Sequence, residues 1–337
     1  MSKRIGVLGA GTWGMALARL LSNNGNDVTV WSALESEVKE FSETRKHPNL
    51  PGMEIPASIV FTGSIEEVCT DKDLLLFVVP SVYVRSTARQ AAPFIRNGQL
   101  IVDAAKGIEP KTHLTMTQII EDELSKAEPP KSVRLVALSG PTHAEEVALD
   151  MPTTIVSASP DEAAAKGVQK AFTSSFMRVY TNTDRRGVEL CGALKNVIAL
   201  AAGISTGLGY GDNAKAAIIT RGIHEMARLG SALGCKTQTF TGLAGIGDLI
   251  VTATSMHSRN NRCGMLLGQG MKPEDAIREV GMVVEGINAL PATMELSRQY
   301  GIEMPLAQAV DQIVNHDLPA SAILEKLMSR DMKSELL

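Results

Sequence analysis

Residues 5–14 read Ile-Gly-Val-Leu-Gly-Ala-Gly-Thr-Trp-Gly, a short β-rich run that passes directly into the spacing Gly-x-Gly-x-x-Gly. An apolar helical pattern follows, and a second β-rich run covers Asp27 to Trp31. In such a strand, turn, helix and strand unit, the first glycine permits a tight turn, the second admits a pyrophosphate, and the third allows close helix packing. The helix N-terminus then faces the anion. The stretch therefore predicts a dinucleotide site at Gly9, Gly11 and Gly14, with a purely structural glycine turn as the alternative.

Further β-rich runs predict the rest of a sheet. Several are continuous apolar runs, typical of strands covered on both faces, and helical segments such as Thr112 to Leu124 and Asp161 to Phe172 alternate with them. We therefore expect a doubly wound, Rossmann-type α/β sheet with ligands at the carboxyl ends of its strands. Those ends carry Pro80-Ser81, Lys106-Gly107 and Gly140-Pro141-Thr142-His143. The further predicted strands are Leu74 to Val79, Leu100 to Asp103, Leu135 to Ser139, Thr153 to Ala158 and Met177 to Tyr180.

The residues after the second strand bear on which nicotinamide coenzyme such a site prefers. An acidic residue there holds the ribose hydroxyls of NAD, whereas a nearby arginine suits the extra phosphate of NADP. Trp31 is followed by Ser32 and Ala33, and Glu35 is the nearest acid beyond the strand. The sequence therefore predicts NAD(H) or NADP(H) as the coenzyme and does not separate the two.

Strand patterns stop near Asp184, where long segments with helical periodicity begin. This shift predicts a dinucleotide-binding Rossmann-type domain over residues 1–183 and an all-α, substrate-binding C-terminal domain over residues 184–337. An active site between the two domains is expected. The predicted helices of the second half are Val188 to Ala202, Ala214 to Leu233, Pro273 to Val280, Glu285 to Tyr300, Pro305 to His316 and Ser321 to Met328.

Lys195 and Asn196 lie in the stretch 187–203, which is otherwise apolar or small and has Glu189 as its only other charged residue. Burying a lysine is costly unless the ammonium faces a cavity that uses it. The alternative is a helix end at which the stem is buried and the ammonium reaches water. We interpret Lys195 as a catalytic candidate.

Two other groups of polar residues stand in apolar or glycine-rich surroundings. Asp248 follows the glycine-rich turn 242–247 at a predicted helix start, where helix capping is the alternative role. Residues 258–262, Ser-Arg-Asn-Asn-Arg, bring hydroxyl, guanidinium and amide donors together. These are the donors that bind a phosphate, and a solvated surface turn is the alternative.

The composition is that of a globular protein with a small-molecule ligand. The 337 residues are 44% hydrophobic and 21% charged, and a net charge of -4 gives no reason to expect nucleic acid or an anionic membrane as partner. The cysteines Cys69, Cys191, Cys235 and Cys263 form no CxxC pair, so we expect no metal site and reduced thiols in a cytoplasm. Interruption of the apolar N-terminal run by Arg19 argues against a secretory signal, and no stable membrane insertion is expected.

Several motifs, in their order and spacing, resemble those of the bacterial NAD(P)-dependent glycerol-3-phosphate dehydrogenases, from Ile5 to about Ser329. The resemblance implies an enzyme that reversibly reduces dihydroxyacetone phosphate to sn-glycerol 3-phosphate for glycerophospholipid biosynthesis, and it makes a homodimer plausible. The motifs are Gly9 to Gly14, Lys106-Gly107, Gly140-Pro141-Thr142, Gly192-Ala193-Leu194-Lys195-Asn196, Gly247-Asp248-Leu249, Ser258-Arg259-Asn260 and Val284-Glu285-Gly286.

The resemblance also implies a role for individual residues. Lys195 is expected to be the general acid and base, with Asn196 beside it as a positioning residue. The residues implied around the substrate are Lys106, Gly140, Thr142, Lys195, Asn196, Asp248, Ser258, Arg259 and Asn260. Those implied along the coenzyme are Gly9, Gly11, Thr12, Trp13, Gly14, Lys106, Ala144, Arg259, Val283 and Glu285.

Two positions depart from the family pattern. The family often has a basic residue near Ala33, so the preference for NADPH stays open here. It commonly has phenylalanine where His143 stands, and we interpret this histidine as filling an aromatic position because the proton donor is already assigned. Two other functions also stay open, since a fold does not fix a function. They are a related two-domain β-hydroxyacid dehydrogenase acting on a carboxylate, and a coenzyme-sensing regulator that needs neither the lysine nor the arginine cluster.

Overall fold

The first half of the chain forms one eight-stranded sheet. A computed structural model describes residues 2–329, 331–332 and 334–335. The strand order is β3-β2-β1-β4-β5-β6-β7-β8, with crossovers on both sides of β1. This confirms the predicted doubly wound α/β sheet. The strands are Arg4–Leu8 (β1), Asp27–Trp31 (β2), Val60–Thr62 (β3), Leu74–Phe77 (β4), Leu100–Asp103 (β5), Arg134–Ser139 (β6), Thr153–Ala158 (β7) and Met177–Asn182 (β8).

The central strands are apolar because helices cover both faces of the sheet. All four residues of β4 are buried, which explains why the strand reads as a continuous apolar run. The sheet is parallel except between β6 and β7, which run antiparallel. The sequence did not predict β3, a strand of three residues, and β4 ends at Phe77 instead of Val79.

The helices of the first half lie between the strands. The helix predicted from Thr112 begins only at Met116, because Thr115 forms a capping box with Gln118 and is bridged to Ile108. The helices are Thr12–Asn23 (α1), Glu35–Thr44 (α2), Ile65–Cys69 (α3), Val84–Ala91 (α4), Met116–Ser125 (α5), Ala144–Ala148 (α6) and Glu162–Phe172 (α7).

Beyond Asn182 the described part of the chain contains helices and no strand, as predicted. The helix start predicted at Asp248 is the start of α11. The sequence missed α10 and α12, which are short or polar at their starts and therefore show little periodicity. The helices are Arg185–Gly207 (α8), Asp212–Ala232 (α9), Thr237–Phe240 (α10), Asp248–Thr254 (α11), Arg259–Gly268 (α12), Pro273–Val280 (α13), Glu285–Tyr300 (α14), Pro305–Asn315 (α15) and Ala320–Met328 (α16).

Helix α8 is the centre of the second half. It packs against α9, α11, α12, α14 and α15. By length and composition it is apolar enough to cross a bilayer, but 94% of its most apolar stretch is buried inside the protein. A helix that is apolar all round is expected at such a central position.

Glycines allow α8 and α12 to approach at backbone distance. A Cβ added at Gly203 would lie 2.2 Å from the carbonyl oxygen of Asn261, and one added at Gly264 would lie 2.3 Å from that of Leu200. No larger residue fits at either position without displacing the backbone. The contact brings the start of α12 beside the middle of α8.

The first turns of α8 also lie against the carboxyl ends of β5 and β6. A Cβ added at Gly192 would lie 3.1 Å from Oγ of Ser139 and 3.3 Å from Cγ of Lys106. The stem of Lys106 therefore crosses α8 at Gly192. This contact places the ligand-binding edge of the sheet next to Lys195.

Candidate active site

Two lysines share one buried carboxylate at the junction of the sheet and the helices. Lys195 on α8 places its Nζ 2.7 Å from Oδ1 of Asp248, the first residue of α11. Lys106, in the loop after β5, places its Nζ 2.6 Å from Oδ2 of the same carboxylate. Lys195 is 5% exposed and Asp248 is 1% exposed, so the ammonium of Lys195 does not extend into water. The carboxylate binds lysines and makes no capping hydrogen bond.

The charges of this cluster set the proton affinity of Lys195. Burial lowers the pKa of Lys195 to about 7, with Asp248 opposing this shift and Lys106 adding to it. Burial alone would raise the pKa of Asp248, but Lys106 and Lys195 hold it below its ordinary value. The cluster thus contains an ionised carboxylate between two amines, one of which exchanges its proton near neutral pH.

Thr252 completes the surroundings of Lys195, and the sequence did not single it out. Nζ of Lys195 donates to Oγ1 of Thr252 over 2.6 Å, and that hydroxyl donates to the carbonyl oxygen of Asp248 over 2.6 Å. An ammonium has three N–H donors, and these contacts with Asp248 and Thr252 use two of them. The third has no hydrogen-bond partner among the described residues. The only sequence signal for Thr252 is its helical spacing from Asp248.

Asn196 and Asn260 join three helices through buried amides. Nδ2 of Asn260 donates to Oδ1 of Asn196 over 2.9 Å, and the backbone N–H of Gly286 donates to Oδ1 of Asn260 over 2.8 Å. Nδ2 of Asn196 donates to the carbonyl oxygen of Gly192 over 3.1 Å. These bonds tie α8, α12 and the start of α14 together. Both Nδ2 and Oδ1 of Asn260 therefore have hydrogen-bond partners inside the protein.

Ser258 and Arg259 stand at the start of α12. The predicted alternative of a solvated turn is wrong, because Ser258 is buried and its Oγ accepts the N–H of Asn261 as a helix cap. Arg259 is half-buried, and its guanidinium makes no hydrogen bond or salt bridge within the described residues. Burial lowers the pKa of Arg259, while Glu285 and Glu145 oppose that shift. A half-buried guanidinium without a fixed partner is available to an anionic ligand.

The loop after β6 closes one side of the cluster. The carbonyl oxygen of Gly140 accepts from Nζ of Lys106 over 3.3 Å and from Oγ1 of Thr142 over 3.2 Å. Nε2 of His143 lies 3.3 Å from the carbonyl oxygen of Val251, and its ring lies 5.7 Å from that of His257. The structure thus places His143 in a packing contact with α11. Ala144 follows as the first residue of α6.

The glycine turn has the form that a pyrophosphate requires. Gly9 has a φ of 125°, in the region that favours glycine, and a Cβ added at Gly14 would lie 2.1 Å from the carbonyl oxygen of Gly9. A Cβ added at Gly11 would meet nothing within 4 Å. Gly11 precedes α1, which begins at Thr12 and Trp13 and has no side-chain cap. The first N–H groups of α1 are therefore open to an anion, and these residues fit a dinucleotide.

We expect Gly11→Ala and Gly14→Ala to separate coenzyme binding from folding. Gly11→Ala places a methyl group in open space, so its melting temperature should stay within about 2 °C of wild type. Its coenzyme KM should rise by about tenfold or more, because the methyl group blocks the phosphates. Gly14→Ala should lower the free energy of unfolding by roughly 1–3 kcal/mol, because its Cβ meets the backbone of Gly9. Thermal melts measure the stability of the two variants, and steady-state rates at varied coenzyme concentration measure their coenzyme KM. An unchanged KM in Gly11→Ala would count against this site.

Glu285 connects the helical half to the sheet. Its Oε1 accepts the backbone N–H of Ser81 over 3.0 Å, and its Oε2 accepts the Ser81 hydroxyl over 2.5 Å. Ser81 follows β4, directly across from the glycine turn in the sheet order. Val283 lies in the segment before α14. At the end of β2, Ser32 donates to Oε2 of Glu37 over 2.5 Å, a carboxylate that the sequence did not single out.

Two other features of the described residues bear on where the chemistry lies. Within the described ranges, no three or more His, Cys, Asp or Glu side chains are grouped so as to hold a metal ion. A cavity of about 430 Å³ lies among α8, α9, α15 and α16, but it is lined by none of the residues singled out above. The predicted catalytic, substrate-binding and coenzyme-binding residues therefore all lie outside this cavity.

Two family models match the chain, and they describe the two parts of one family. The family model for the N-terminus of NAD-dependent glycerol-3-phosphate dehydrogenase matches residues 4–165, and the model for its C-terminus matches residues 184–325. A glycerol-3-phosphate dehydrogenase [NAD(P)+] of Lactobacillus delbrueckii subsp. bulgaricus is 62% identical, over 99% of each chain. One of Bacillus subtilis is 47% identical, over 99% of this chain and 96% of its own.

A solved structure agrees with this result. The glycerol-3-phosphate dehydrogenase of Coxiella burnetii superimposes with a TM-score of 0.92 at 35% identity, over 98% of this chain and 99% of that one. The similarity thus extends across both the sheet and the helices. The chain belongs to the NAD-dependent glycerol-3-phosphate dehydrogenase family.

Proposed function

We propose that this protein interconverts dihydroxyacetone phosphate and sn-glycerol 3-phosphate by hydride transfer with NAD(P)H. The observation that carries the proposal is the buried ammonium of Lys195, which has one N–H left after binding Asp248 and Thr252. An anion-binding guanidinium and a dinucleotide turn accompany it. Membership of the family supports the same reaction.

In this proposal Lys195 holds and transfers the proton. When bound, the reduced nicotinamide supplies a hydride to the C2 carbonyl carbon. The Lys195 ammonium hydrogen-bonds the carbonyl oxygen, stabilises the negative charge that grows there, and donates its proton. Asp248 and Thr252 keep Nζ in place before and after this transfer. In the reverse direction, neutral Lys195 accepts the proton of the alcohol.

Arg259 is the proposed phosphate-binding residue, together with the hydroxyl hydrogen of Ser258. Holding the phosphate converts binding energy remote from the carbonyl into alignment of that carbonyl with Lys195. Asn196 and Asn260 hold α8, α12 and α14 together by hydrogen bonds, so we assign a positioning role to both. The side of the substrate opposite Arg259 is assigned to Lys106, Gly140 and Thr142. The coenzyme side is assigned to Glu285, Val283 and Ala144.

The pH dependence of the reaction follows from Lys195. Reduction needs the protonated amine, so kcat in that direction should fall as the pH rises through about 7. Oxidation needs the neutral amine, so kcat should rise over the same range. Steady-state rates measured in both directions between about pH 5.5 and 9 test this, with coenzyme and substrate saturating. If kcat changed with pH in the same sense in both directions, the assignment would be contradicted.

The experiment that tests the reaction itself compares substrates and coenzymes. Purified protein is mixed with NADH or NADPH and then with dihydroxyacetone phosphate, and oxidation of the coenzyme is followed. The proposal requires rapid oxidation with the phosphorylated ketone. Preference for a β-keto carboxylate would indicate a hydroxyacid dehydrogenase instead, and coenzyme binding without turnover would indicate a regulator. The coenzyme giving the higher kcat/KM settles the choice that Ser32 and Ala33 leave open.

The wider setting is also part of the proposal. We place the division between the coenzyme-binding and substrate-binding domains at residues 183 and 184, supported by the end of β8 at Asn182 and the start of α8 at Arg185. A homodimer in the cytoplasm that supplies glycerol 3-phosphate for glycerophospholipid biosynthesis fits the family. Light scattering tests the dimer.

A further inference from the structure

Glu189 is a buried acid on α8 that the reaction proposed above does not use. It lies less than two helical turns before Lys195. Its Oε1 accepts the backbone N–H of Thr117 over 2.8 Å, and its Oε2 accepts the hydroxyls of Thr117 and Thr115 over 2.7 and 3.0 Å. Glu189 thus binds the N-terminus of α5. Burying a carboxylate so deeply is costly unless its oxygens are hydrogen-bonded, and these three hydrogen bonds offset that cost.

The segment that Glu189 holds is the one that carries Lys106. The chain leaves β5 at Asp103, passes Lys106, and returns to α5 at Thr115. Thr115 is bridged to Ile108, two residues beyond Lys106, and the backbone N–H of Glu109 donates to the carbonyl oxygen of Leu114 over 2.9 Å. The segment is therefore a closed loop. Fixing Thr115 also fixes the backbone next to Lys106.

The same stretch of α8 carries Lys195 and contacts Lys106. Glu189 holds the loop, Gly192 bears the stem of Lys106, and Lys195 binds Asp248. Helix α8 therefore fixes the distance between the Lys106 loop and the Asp248 carboxylate.

The environment of Glu189 indicates a role in hydrogen bonding rather than in charge pairing. Asp103 is buried nearby, and its Oδ2 has no hydrogen-bond partner in the described chain. Burial, and then Glu189, raise the pKa of Asp103 well above its usual value. The donors to Glu189 are neutral hydroxyl and amide groups. None of these donors needs a negatively charged acceptor at position 189, beside the buried Asp103.

We propose that Glu189 is a positioning residue that, through Thr115 and Thr117, fixes the Lys106 ammonium on Asp248 and so keeps that carboxylate shared between Lys106 and Lys195. The inference rests on the proposed role of Lys195. Loss of the hold should let Lys106 drift from Asp248. Asp248 then acts on Lys195 alone, and the proton of Lys195 is held more tightly.

The test is the alkaline limb of kcat in the direction of ketone reduction. The charged or titratable groups that face Lys195 are Asp248 from α11, Lys106 from its loop and His143 from the start of α6. Glu189→Ala should move this limb to higher pH by roughly half a pH unit or more. It should also lower kcat by about tenfold, because the cluster is misaligned.

Glu189→Gln is the conservative variant. The amide oxygen still accepts the N–H of Thr117, and the amide N–H₂ donates to the threonine hydroxyls, which can rotate. Its limb and kcat should stay close to wild type. Should Glu189→Ala fail to fold, Thr117→Val removes one hydroxyl contact and should move the limb in the same direction by less.

Glu225→Ala is the matched control. Glu225 is also a buried glutamate that binds the start of another helix, because it accepts the backbone N–H groups of Leu306 and Ala307 in the first turn of α15 over 2.9 and 3.4 Å. It lies on α9, away from the lysine cluster. Its loss should lower the melting temperature and leave the limb in place.

Two results would overturn the inference. One is an unmoved limb in both Glu189→Ala and Thr117→Val. The other is an equal shift in Glu189→Gln or Glu225→Ala, which would indicate a charge effect or general loosening. Failure of the proposed function is distinguishable, because wild-type protein would then not oxidise the coenzyme with dihydroxyacetone phosphate at all.

Discussion

Replacing Lys195 by alanine is expected to lower kcat by about two to four decades, the usual range for a positioned proton donor. The variant loses both the proton and the cation that stabilises the growing negative charge. Asp248 keeps Lys106 as its partner over 2.6 Å, so its charge stays compensated and the fold should survive. Steady-state rates of coenzyme oxidation with dihydroxyacetone phosphate measure the effect.

Two controls give this experiment its meaning. Thermal unfolding and coenzyme titration of Lys195→Ala should resemble those of wild type, because Lys195 hydrogen-bonds Asp248 and Thr252 and no residue of the glycine turn. Lys195→Arg keeps the positive charge but does not release a proton near neutral pH, so it should also be severely impaired. Turnover near that of wild type in either variant would remove Lys195 from the proposed chemistry.

Replacing Arg259 by alanine is expected to raise the KM for dihydroxyacetone phosphate by about 10- to 100-fold, the range for loss of a charge-assisted hydrogen bond. The guanidinium has no partner within the described residues that would otherwise use it. Rates with dihydroxyacetone, which lacks the phosphate, should fall much less. The ratio of the two kcat/KM values therefore isolates the phosphate contribution.

Arg278→Ala is the matched control for this change. Arg278 lies on α13 with its side chain 77% exposed, in a salt bridge to Asp275. Its loss should leave both substrates unaffected, since exposed pairs of this kind contribute little. If Arg259→Ala left both KM and kcat for the phosphorylated ketone unchanged, another group would have to bind the phosphate.

The sheet was predictable because its signals are local. A glycine turn between two strands has a fixed meaning, and buried parallel strands read as apolar runs. Thr153–Ala158 and Leu100–Asp103 match their predicted bounds. The short strand β3 gave no such signal, and the cap at Thr115 shortened the helix predicted from Thr112.

The candidate site was only partly predictable because its contacts join distant segments. Lys195 was visible as a charge in an apolar helix, but only the helical spacing from Asp248 pointed to Thr252, its hydrogen-bond partner. The bonds of Glu189 to Thr115 and Thr117 span separate halves of the chain. Asn260 was expected at the phosphate, yet its amide is buried against Asn196. Such pairings exist only once α8 is packed.

The most direct test of the proton-donor assignment is a titration of the Lys195 ammonium in the intact protein. Lysines labelled at Nζ are followed by NMR as a function of pH, and the signal missing from Lys195→Ala identifies the residue. We predict a midpoint near the pKa of about 7 to which burial lowers Lys195. A midpoint at the ordinary lysine value of about 10.4 would contradict the account.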